Sequence, residues 1–253
     1  MKAAILYEMG RSRPYANSKP LVVEDVSLDP PGAGELLIKI KATGLCHSDL
    51  SVISGDRPRP MPMVLGHETA GEVQECGGGV ADLRPGDQVV LAFIPSCGSC
   101  VPCMEGRPAL CEPGARANSA GTLLSGARRL RLRETSLNHH IGISGYAEYA
   151  VVSRRSAIKI DNSLPAHEAA LFGCAVVTGV GAVVNTAKVP AGSTVAVVGL
   201  GGVGLSALLA ANLVGAVEVI AVDSNPDKFE VGSRLGRLEQ SGPGRTRSKK
   251  FAT

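Results

Sequence analysis

Short apolar segments rich in β-branched residues, separated by Gly and Pro turns, occupy the first half of the chain. Four of them have the length and composition of β-strands. They are residues 2–7, 21–26, 36–43 and 88–94. The pattern predicts a compact, mostly β front domain.

The hydrophobic period changes near residue 164, where the chain becomes rich in alanine. The pattern predicts a helix, a strand, a second helix and a second strand in that order. They cover residues 165–184, 193–199, 205–215 and 218–223. A strand, a glycine turn, a helix and a strand make a βαβ unit. We therefore predict an α/β chain in which a β domain (residues 1–164) precedes a βαβ domain (residues 165–236).

The composition shifts abruptly after Gly236. Residues 237–253 have five basic side chains against one acidic side chain, Glu239, and no apolar periodicity. The basic residues are Arg237, Arg245, Arg247, Lys249 and Lys250. We predict a disordered tail here, with a basic partner-binding tail as the alternative.

Charge and cysteine usage narrow the function classes. The 253 residues include 26 basic and 23 acidic ones, which is too even a balance to indicate nucleic acid or a membrane surface as partner. No run approaches the ~20 apolar residues of a membrane span, and the first residues lack the apolar core of a secretory signal. We expect a cytoplasmic protein, in which the seven cysteines favour thiolate ligands or catalytic groups over disulfides.

Four of these cysteines are crowded together with the spacing C-x2-C-x2-C-x7-C. They are Cys97, Cys100, Cys103 and Cys111. Four thiolates complete a tetrahedral shell around Zn2+, and the Gly and Pro turns between them let the chain fold around one ion. The pattern predicts a structural zinc. An iron–sulfur cluster is the main alternative, although its common spacings differ, and disulfides are a weaker one.

Two other cysteines and a histidine lie far apart: Cys46 in Gly-Leu-Cys-His-Ser-Asp, His67 in Gly-His-Glu-Thr-Ala-Gly, and Cys174 directly after a glycine. Each alone is more typical of a small buried side chain or a structural histidine than of a ligand. Together they carry a resemblance. The segment that begins at Gly66, Gly-His-Glu-x2-Gly-x5-Gly-x2-Val, resembles the signature of the zinc-dependent medium-chain alcohol dehydrogenases, with Cys46 and Cys174 at the expected distances.

The resemblance covers roughly residues 1–236 and implies a fold, two zinc ions and a reaction. The implied fold is a GroES-like catalytic domain (1–164) followed by a partial Rossmann domain (165–236). Cys46, His67 and Cys174 are the implied ligands of a catalytic zinc whose fourth position stays open for the alcohol oxygen, and the cation lowers the pKa of that oxygen. The implied reaction transfers a hydride between an alcohol, or a hydroxymethyl adduct, and NAD.

Residues beside these ligands have implied roles too. Ser48 is the first acceptor of the substrate proton, and Asp49 and Glu68 are carboxylates placed to orient the ligands. His47 stands where the family usually has a basic group for the cofactor pyrophosphate. The chain departs from many members at Ser51, where they carry a relay histidine, so proton release through water is expected.

A glycine-rich turn follows the apolar strand in the second half and opens a helix. It contains Gly199, Gly201, Gly202, Val203 and Gly204. A G-x-G-x-x-G turn alone can be only a tight turn, but between a strand and a helix it indicates a dinucleotide pyrophosphate site. Asp223, nineteen positions after Gly204, is expected to bind the adenosine ribose and to favour NAD over NADP. Lys228 is a second ribose contact implied by the resemblance.

A complete six-stranded dinucleotide domain needs more strands than the two predicted here. We therefore expect a C-terminally truncated chain, with one edge of its first βαβ strand open. A reading-frame change near Gly236 would explain the patternless tail. The family assembles as homo-oligomers, which is doubtful for a truncated chain.

Two functions follow from these expectations: an NAD-dependent zinc alcohol dehydrogenase with a small alcohol or aldehyde as substrate, or a catalytically inactive zinc-binding fragment of one. Polyol or threonine dehydrogenases form a third group. Their third catalytic ligand is often Glu, so Cys174 favours the branch that acts on alcohols and formaldehyde adducts.

Overall fold

The computed structural model describes residues 1–235 and 245–247. The chain divides into two compact units, Met1–Gly173 and Cys174–Thr253, called here the first and the second unit. The division lies nine residues later than the expected 164/165 boundary. The reason is local packing, because Ala169 and Ala170 are buried against Ala70 of the first unit.

The first unit contains twelve described strands. They are β1 (Lys2–Leu6), β2 (Leu21–Asp25), β3 (Ser27–Leu28), β4 (Glu35–Thr43), β5 (Met63–Val64), β6 (Thr69–Cys76), β7 (Gln88–Leu91), β8 (Leu130–Leu132), β9 (Thr135–Ser136), β10 (Asn138–His139), β11 (Tyr149–Ser153) and β12 (Ala157–Lys159). The four strands predicted from the apolar pattern are β1, β2, β4 and β7, each present within a few residues of the expected bounds.

A five-stranded antiparallel sheet in the order β11-β4-β6-β7-β12 forms the centre of the first unit. Its alternating apolar side chains bury a cluster that includes Leu36, Ile38, Val73, Val89 and Leu91. Alternation puts these residues on one face of the sheet. A four-stranded sheet, β10-β5-β1-β2, and a small sheet, β3-β8-β9, complete the β structure of the unit.

The helices of the first unit are short. They are α1 (Tyr15–Ser18), α2 (His47–Ser54), α3 (Val101–Met104), α4 (Glu112–Ala120) and α5 (Ala166–Leu171), with 3-10 turns at Pro108–Leu110 and Arg154–Ser156. Helix α2 begins directly after Cys46. Within the cysteine-rich segment, α3 begins directly after Cys100 and contains Cys103, and α4 begins directly after Cys111. The helices therefore carry the candidate ligands at their ends.

The second unit holds the predicted βαβ arrangement. Its elements are α6 (Val177–Gly181), β13 (Thr194–Val198), α7 (Gly202–Leu213), β14 (Glu218–Val222), α8 (Lys228–Leu235) and β15 (Arg245–Arg247). Strands β13 and β14 are parallel, and α7 packs on them through Leu208 and Ala211. Helix α7 starts three residues earlier than the hydrophobic pattern predicted, at the second half of the glycine turn.

The basic tail differs from its prediction at one place. Arg245–Arg247 form β15, which pairs antiparallel with β14, so this part is not disordered. An open sheet edge offers unpaired N–H and C=O groups, and a short Arg-Thr-Arg segment can satisfy them through its backbone. The remaining tail residues, 236–244 and 248–253, lie outside the described part of the chain. Among the described strands, β13 pairs only with β14.

One helical run contradicts the expectation that no apolar stretch has the length of a membrane span. Residues Ala166–Thr186 form a helical run of 21 residues with a mean hydropathy of 1.7. It joins α5 and α6 through π-helical turns at Phe172–Val176 and Ala182–Thr186. Length and hydropathy are weak evidence for a span, since core helices of soluble proteins share both, and Gly179 is buried against α7.

Candidate metal and cofactor sites

The two ligand-bearing segments of the first unit meet where β4 ends and β6 begins. The register pairs Thr43 with Thr69. The segment after Thr43 therefore lies beside the segment before Thr69, and the Gly44 N–H donates to the Glu68 carbonyl over 2.7 Å. A Cβ on Gly44 would lie 2.5 Å from Glu68 Oε2, so only glycine leaves room for this buried carboxylate. Sheet register thus brings Cys46 and His67 together.

Cys46 is the N-cap of α2. Its Sγ accepts the Ser48 N–H over 3.5 Å, and the Cys46 N–H donates to Asp49 Oδ2 over 3.2 Å. This is a capping box in which the thiol replaces the usual hydroxyl. A helix N-terminus and an N–H donor both favour the thiolate, which is the form that binds a metal.

A candidate metal site lies in this region. Ligand atoms of Cys46, His67 and Glu68 are all within 4.8 Å of one another. The donor set is one thiol, one imidazole and one carboxylate, in which His67 and Glu68 are 1% and 4% exposed and Cys46 is half-buried. That chemistry fits Zn2+. Cys174 is buried at the first position of the second unit, and its membership of this ligand set stays a prediction from the resemblance.

Asp49 orients the histidine. Its Oδ1 lies 3.3 Å from His67 Nδ1 and accepts the Gly66 N–H over 3.0 Å. A carboxylate on Nδ1 leaves Nε2 for a metal, which is the usual arrangement of a ligating histidine. Burial alone would lower the pKa of His67, but the Asp49 carboxylate outweighs it and raises that pKa to about 9. Burial opposes ionisation of Asp49 too, yet the neighbouring His140 and His67 rings hold its pKa well below the usual range.

Two residues that the sequence interpretation missed face the same carboxylate. The Tyr146 hydroxyl donates to Asp49 Oδ2 over 3.0 Å, and His140 Nδ1 lies 3.1 Å from Asp49 Oδ1. Burial raises the pKa of Tyr146 and lowers that of His140. The sequence offered only a weak indication of His140 and Tyr146, because residues so far from Asp49 along the chain cannot be paired with it until the fold is known.

The other predicted residues near this site have less defined surroundings. Ser48 is half-buried and its N–H points to Cys46. His47 is exposed on the first turn of α2. Ser51 donates its hydroxyl to the His47 carbonyl over 3.0 Å, so it is occupied within the helix.

The four-cysteine loop is already arranged around one point. The Sγ atoms of its four cysteines lie within 4.8 Å of one another, and the described residues, which include every cysteine of the chain, contain no disulfide. Cys100 and Cys111 have their sulfurs 3.9 Å apart. Zn–S bonds of about 2.3 Å in a tetrahedron require sulfurs ~3.8 Å apart. The loop therefore fits zinc.

Backbone N–H groups surround these sulfurs. Hydrogen bonds from the N–H groups of Ser99 and Cys100 lower the pKa of the Cys97 thiol to about 6. Desolvation and hydrogen bonds with neighbouring thiols raise the pKa of Cys103 to about 12. Without a cation the four sulfurs therefore cannot all ionise, and a divalent ion supplies the missing charge.

The glycine turn of the second unit leaves space for a ligand. Gly199 has φ +93°, a conformation that only glycine adopts without strain, and a Cβ on Gly204 would lie 1.7 Å from the Gly199 carbonyl oxygen. A Cβ on Gly201, by contrast, would meet no atom within 4 Å. Helix α7 begins at Gly202 with no side-chain cap. An uncapped helix N-terminus beside an open turn fits a pyrophosphate.

Asp223 ends β14 and lies beside this turn. Its Oδ2 accepts the Leu200 N–H over 2.6 Å and lies 3.1 Å from Lys228 Nζ, and its Oδ1 accepts the Asn225 N–H over 2.8 Å. These bonds, led by the Asn225 and Leu200 N–H groups, lower its pKa to about 2. The predicted cofactor residues Gly199, Gly201, Gly204, Asp223 and Lys228 therefore surround one turn. Val203 is 44% exposed at the start of α7.

Comparison with known proteins agrees with this geometry. Residues 32–162 match the family described as the alcohol dehydrogenase GroES-like domain. The chain is 43% identical over 236 residues to alcohol dehydrogenase class-3 of Drosophila melanogaster, covering 93% of this chain and 60% of that protein.

Solved structures give the same picture. The chain is similar to an alcohol dehydrogenase zinc-binding domain protein from Burkholderia ambifaria, with a TM-score of 0.85 and 36% identity over 93% of this chain and 62% of that one. It is also similar to benzyl alcohol dehydrogenase from Acinetobacter calcoaceticus, with a TM-score of 0.83 and 34% identity over 93% and 61% of the two chains. The chain thus spans about 60% of the length of these relatives.

Proposed function

This chain belongs to the zinc-dependent alcohol dehydrogenase family, and on that premise we propose that it acts as an oxidoreductase. The proposed reaction transfers a hydride between a primary or secondary alcohol, or a hydroxymethyl adduct, and NAD. One observation carries the proposal. Cys46 and His67, from separate segments, converge with a buried carboxylate, and Asp49 aligns the histidine for a metal.

The proposed catalytic zinc would be held by Cys46, His67 and Cys174, with Glu68 beside them. A zinc ion there supplies the positive charge that lowers the pKa of a substrate hydroxyl. The protein side chains orient the ion and keep the region dry, since His67 and Glu68 are almost fully buried. We assign to Ser48 the acceptance of the substrate proton, and to solvent its release, because Ser51 replaces the relay histidine of many members.

A second zinc in the four-cysteine loop has a structural role in this proposal. A closed shell of four thiolates leaves no position for substrate. The zinc would then stabilise the segment between Cys97 and Cys111, where the side chains from Val101 to Leu110 are mostly exposed and only three- and four-residue helical turns form.

NAD is the proposed cofactor. The support is the open glycine turn, the uncapped N-terminus of α7 and the carboxylate of Asp223, which would accept hydrogen bonds from ribose hydroxyls and repel a 2'-phosphate. Lys228 and, from the first unit, His47 are the proposed basic contacts of the cofactor. In this structure Asp223 is paired with Lys228.

The remaining proposals concern partners and location. The proposed partner is a small alcohol or aldehyde, with neither nucleic acid nor membrane involved, and the proposed location is the cytoplasm. The support for a reducing compartment is the cysteine spacing, C-x2-C-x2-C-x7-C, which suits thiolate ligands of one ion better than disulfides. A homo-oligomer is the family's usual assembly.

The test is NADH formation by the purified chain with a panel of primary and secondary alcohols, including benzyl alcohol. We expect turnover that Cys46→Ser abolishes and Cys76→Ser leaves unchanged, because the half-buried Cys76 thiol only donates to the Leu83 carbonyl. Turnover that survives Cys46→Ser would overturn the assignment of the zinc site.

A second candidate is a zinc-binding protein without turnover. The observation in its favour is that the chain spans about 60% of the length of its relatives. Two zinc ions per chain with no NADH from any alcohol would support it over the dehydrogenase.

A further inference from the structure

One carboxylate connects both ligand-bearing segments of the first unit. Asp49 Oδ2 accepts the N–H of Cys46 itself, and Oδ1 accepts the N–H of Gly66 and contacts the ring of His67. The distances are 3.2, 3.0 and 3.3 Å. A shift of Asp49 would therefore move the thiol and the imidazole relative to each other. Asp49 is 2% exposed, so water does not compete for these bonds.

A third segment, which contains His140 and Tyr146, also contacts the Asp49 carboxylate. The Tyr146 hydroxyl donates to Asp49 Oδ2, and His140 Nδ1 lies 3.1 Å from Oδ1. Tyr146 is itself anchored, because its N–H donates to the Leu65 carbonyl over 2.9 Å. His140 packs edge-on against the His67 ring, with ring centres 5.5 Å apart. Both side chains therefore contact groups that determine where His67 lies.

We propose that Tyr146 and His140 are positioning residues for the metal site of Cys46 and His67, and that they act through Asp49. The inference rests on the proposed function, since it concerns the same metal. It assigns a role to two residues outside the ligand set and outside the carboxylates that the sequence indicated. Removal of one such partner typically lowers metal affinity 10- to 100-fold.

A third metal ion, in addition to the two proposed zinc ions, is the rival interpretation of this cluster. Ligand atoms of Asp49, His67 and His140 also lie within 4.8 Å of one another. However, both Asp49 oxygens already accept hydrogen bonds, two from backbone N–H groups and one from Tyr146. A cation in this position would displace these donors or lie against their positive ends. The geometry favours a hydrogen-bonded clamp over a third metal.

The experiment compares zinc affinities of Tyr146→Phe and Tyr7→Phe by competition with a chromophoric chelator. Both changes remove one phenol hydroxyl that donates to a carboxylate, but Tyr7 bonds to Glu24 on the surface of β1 and β2. We expect Tyr146→Phe to lower the affinity of the Cys46–His67 site about tenfold. The four-cysteine zinc, measured in the same titration, should be unchanged in both variants. That second zinc reports whether the unit is folded.

A double-mutant cycle tests the route through Asp49. In an Asp49→Asn background, Tyr146→Phe and His140→Phe should each change the affinity by less than about twofold, because residues that act through a common partner are not additive. Full additivity, a third metal ion per chain, or equal affinities of Tyr146→Phe and Tyr7→Phe would overturn the inference alone. Absence of any metal at the Cys46–His67 site of the unaltered chain would overturn the proposed function as well.

Discussion

At the scale of single residues, the space around the His67 segment is limited by backbone as well as by side chains. Gly66 has φ +93°, and a Cβ on it would lie 2.5 Å from Tyr146 Cδ1 and 2.6 Å from the Tyr146 backbone nitrogen. Gly86 has nearly the same φ, +92°, but a Cβ there meets no atom within 4 Å. A comparison of the same substitution at Gly66 and at Gly86 therefore separates the effect of backbone conformation on stability from the effect of crowding.

We predict that Gly66→Ala destabilises the first unit more than Gly86→Ala does. Both variants incur ~1–2 kcal/mol for a left-handed alanine, and Gly66→Ala adds about 1–3 kcal/mol for overpacking against Tyr146. Urea unfolding of the two variants measures the difference. Equal losses would mean that the segment around Tyr146 yields without cost.

A buried histidine makes the stability of the first unit depend on pH. His139 is 0% exposed, and its Nε2 accepts the Arg129 N–H over 3.0 Å. Burial lowers its pKa to about 4, so the folded form keeps it neutral at pH values where the unfolded chain is protonated.

The sign of the pH effect follows from this difference. As the pH falls from about 6.5 to 4, the unfolded state binds a proton that the folded state does not, and the free energy of unfolding should fall by up to about 3 kcal/mol. His139→Gln should remove this part of the slope, whereas His167→Gln, whose side chain is 79% exposed, should retain it. If the free energy of unfolding depends on pH with the same slope in the unaltered chain and in His139→Gln, the assignment of this pH dependence to His139 is wrong.

At the scale of elements, the four-cysteine loop is the part of the first unit whose stability we expect to depend most on a bound metal. Helix α3 and the 3-10 turn Pro108–Leu110 have no buried residues. A segment that buries little apolar surface gains little from the hydrophobic effect. The proposed zinc and the N–H···S bonds would then be its main stabilising contacts.

We predict that Cys103→Ser removes one zinc and loosens the loop. The exposed Glu105 should become a rapid cleavage site for a glutamate-specific endoproteinase, and the thermal midpoint of the first unit should fall by several degrees. Cys76→Ser, outside both ligand sets, should keep two zinc ions and resist cleavage at Glu105. A Cys103→Ser chain with unchanged zinc content would refute the four-thiolate site.

Elements also show what a single sequence can and cannot reveal. The glycine turn and the cysteine spacing are local, so they predict β13, α7 and the four-sulfur cluster. The π-helical turn around Cys174 and the cap of α2 by a thiol are not visible in apolar periodicity. The unit boundary lies later than predicted because Ala169 and Ala170 pack on β6. Such tertiary contacts are not visible in the composition.

At the scale of the whole molecule, the fold class agrees with the sequence prediction: a mostly β unit followed by a partial dinucleotide-binding unit. The proposed metal ligands of the first unit could be named from the sequence because a signature covers His67. The clamp by His140 and Tyr146 was not, since their relation to Asp49 arises only when 138–146 folds onto α2. The strand at Arg245–Arg247 was not predicted, because three residues are too few to show a hydrophobic period.

The second unit exposes apolar side chains that a larger sheet would cover. Val198 at the end of β13 is 80% exposed and Leu213 at the end of α7 is 85% exposed. Such residues favour association of chains, so metal content must be counted on material shown to be monodisperse.

The central claim is that this chain carries two separate zinc sites, and native mass spectrometry of the purified chain tests it most directly. We predict two zinc ions per chain, with one lost in Cys46→Ser and the other lost in Cys103→Ser. A chain that holds one zinc or none, or a Cys46→Ser variant that still holds two, would contradict the account.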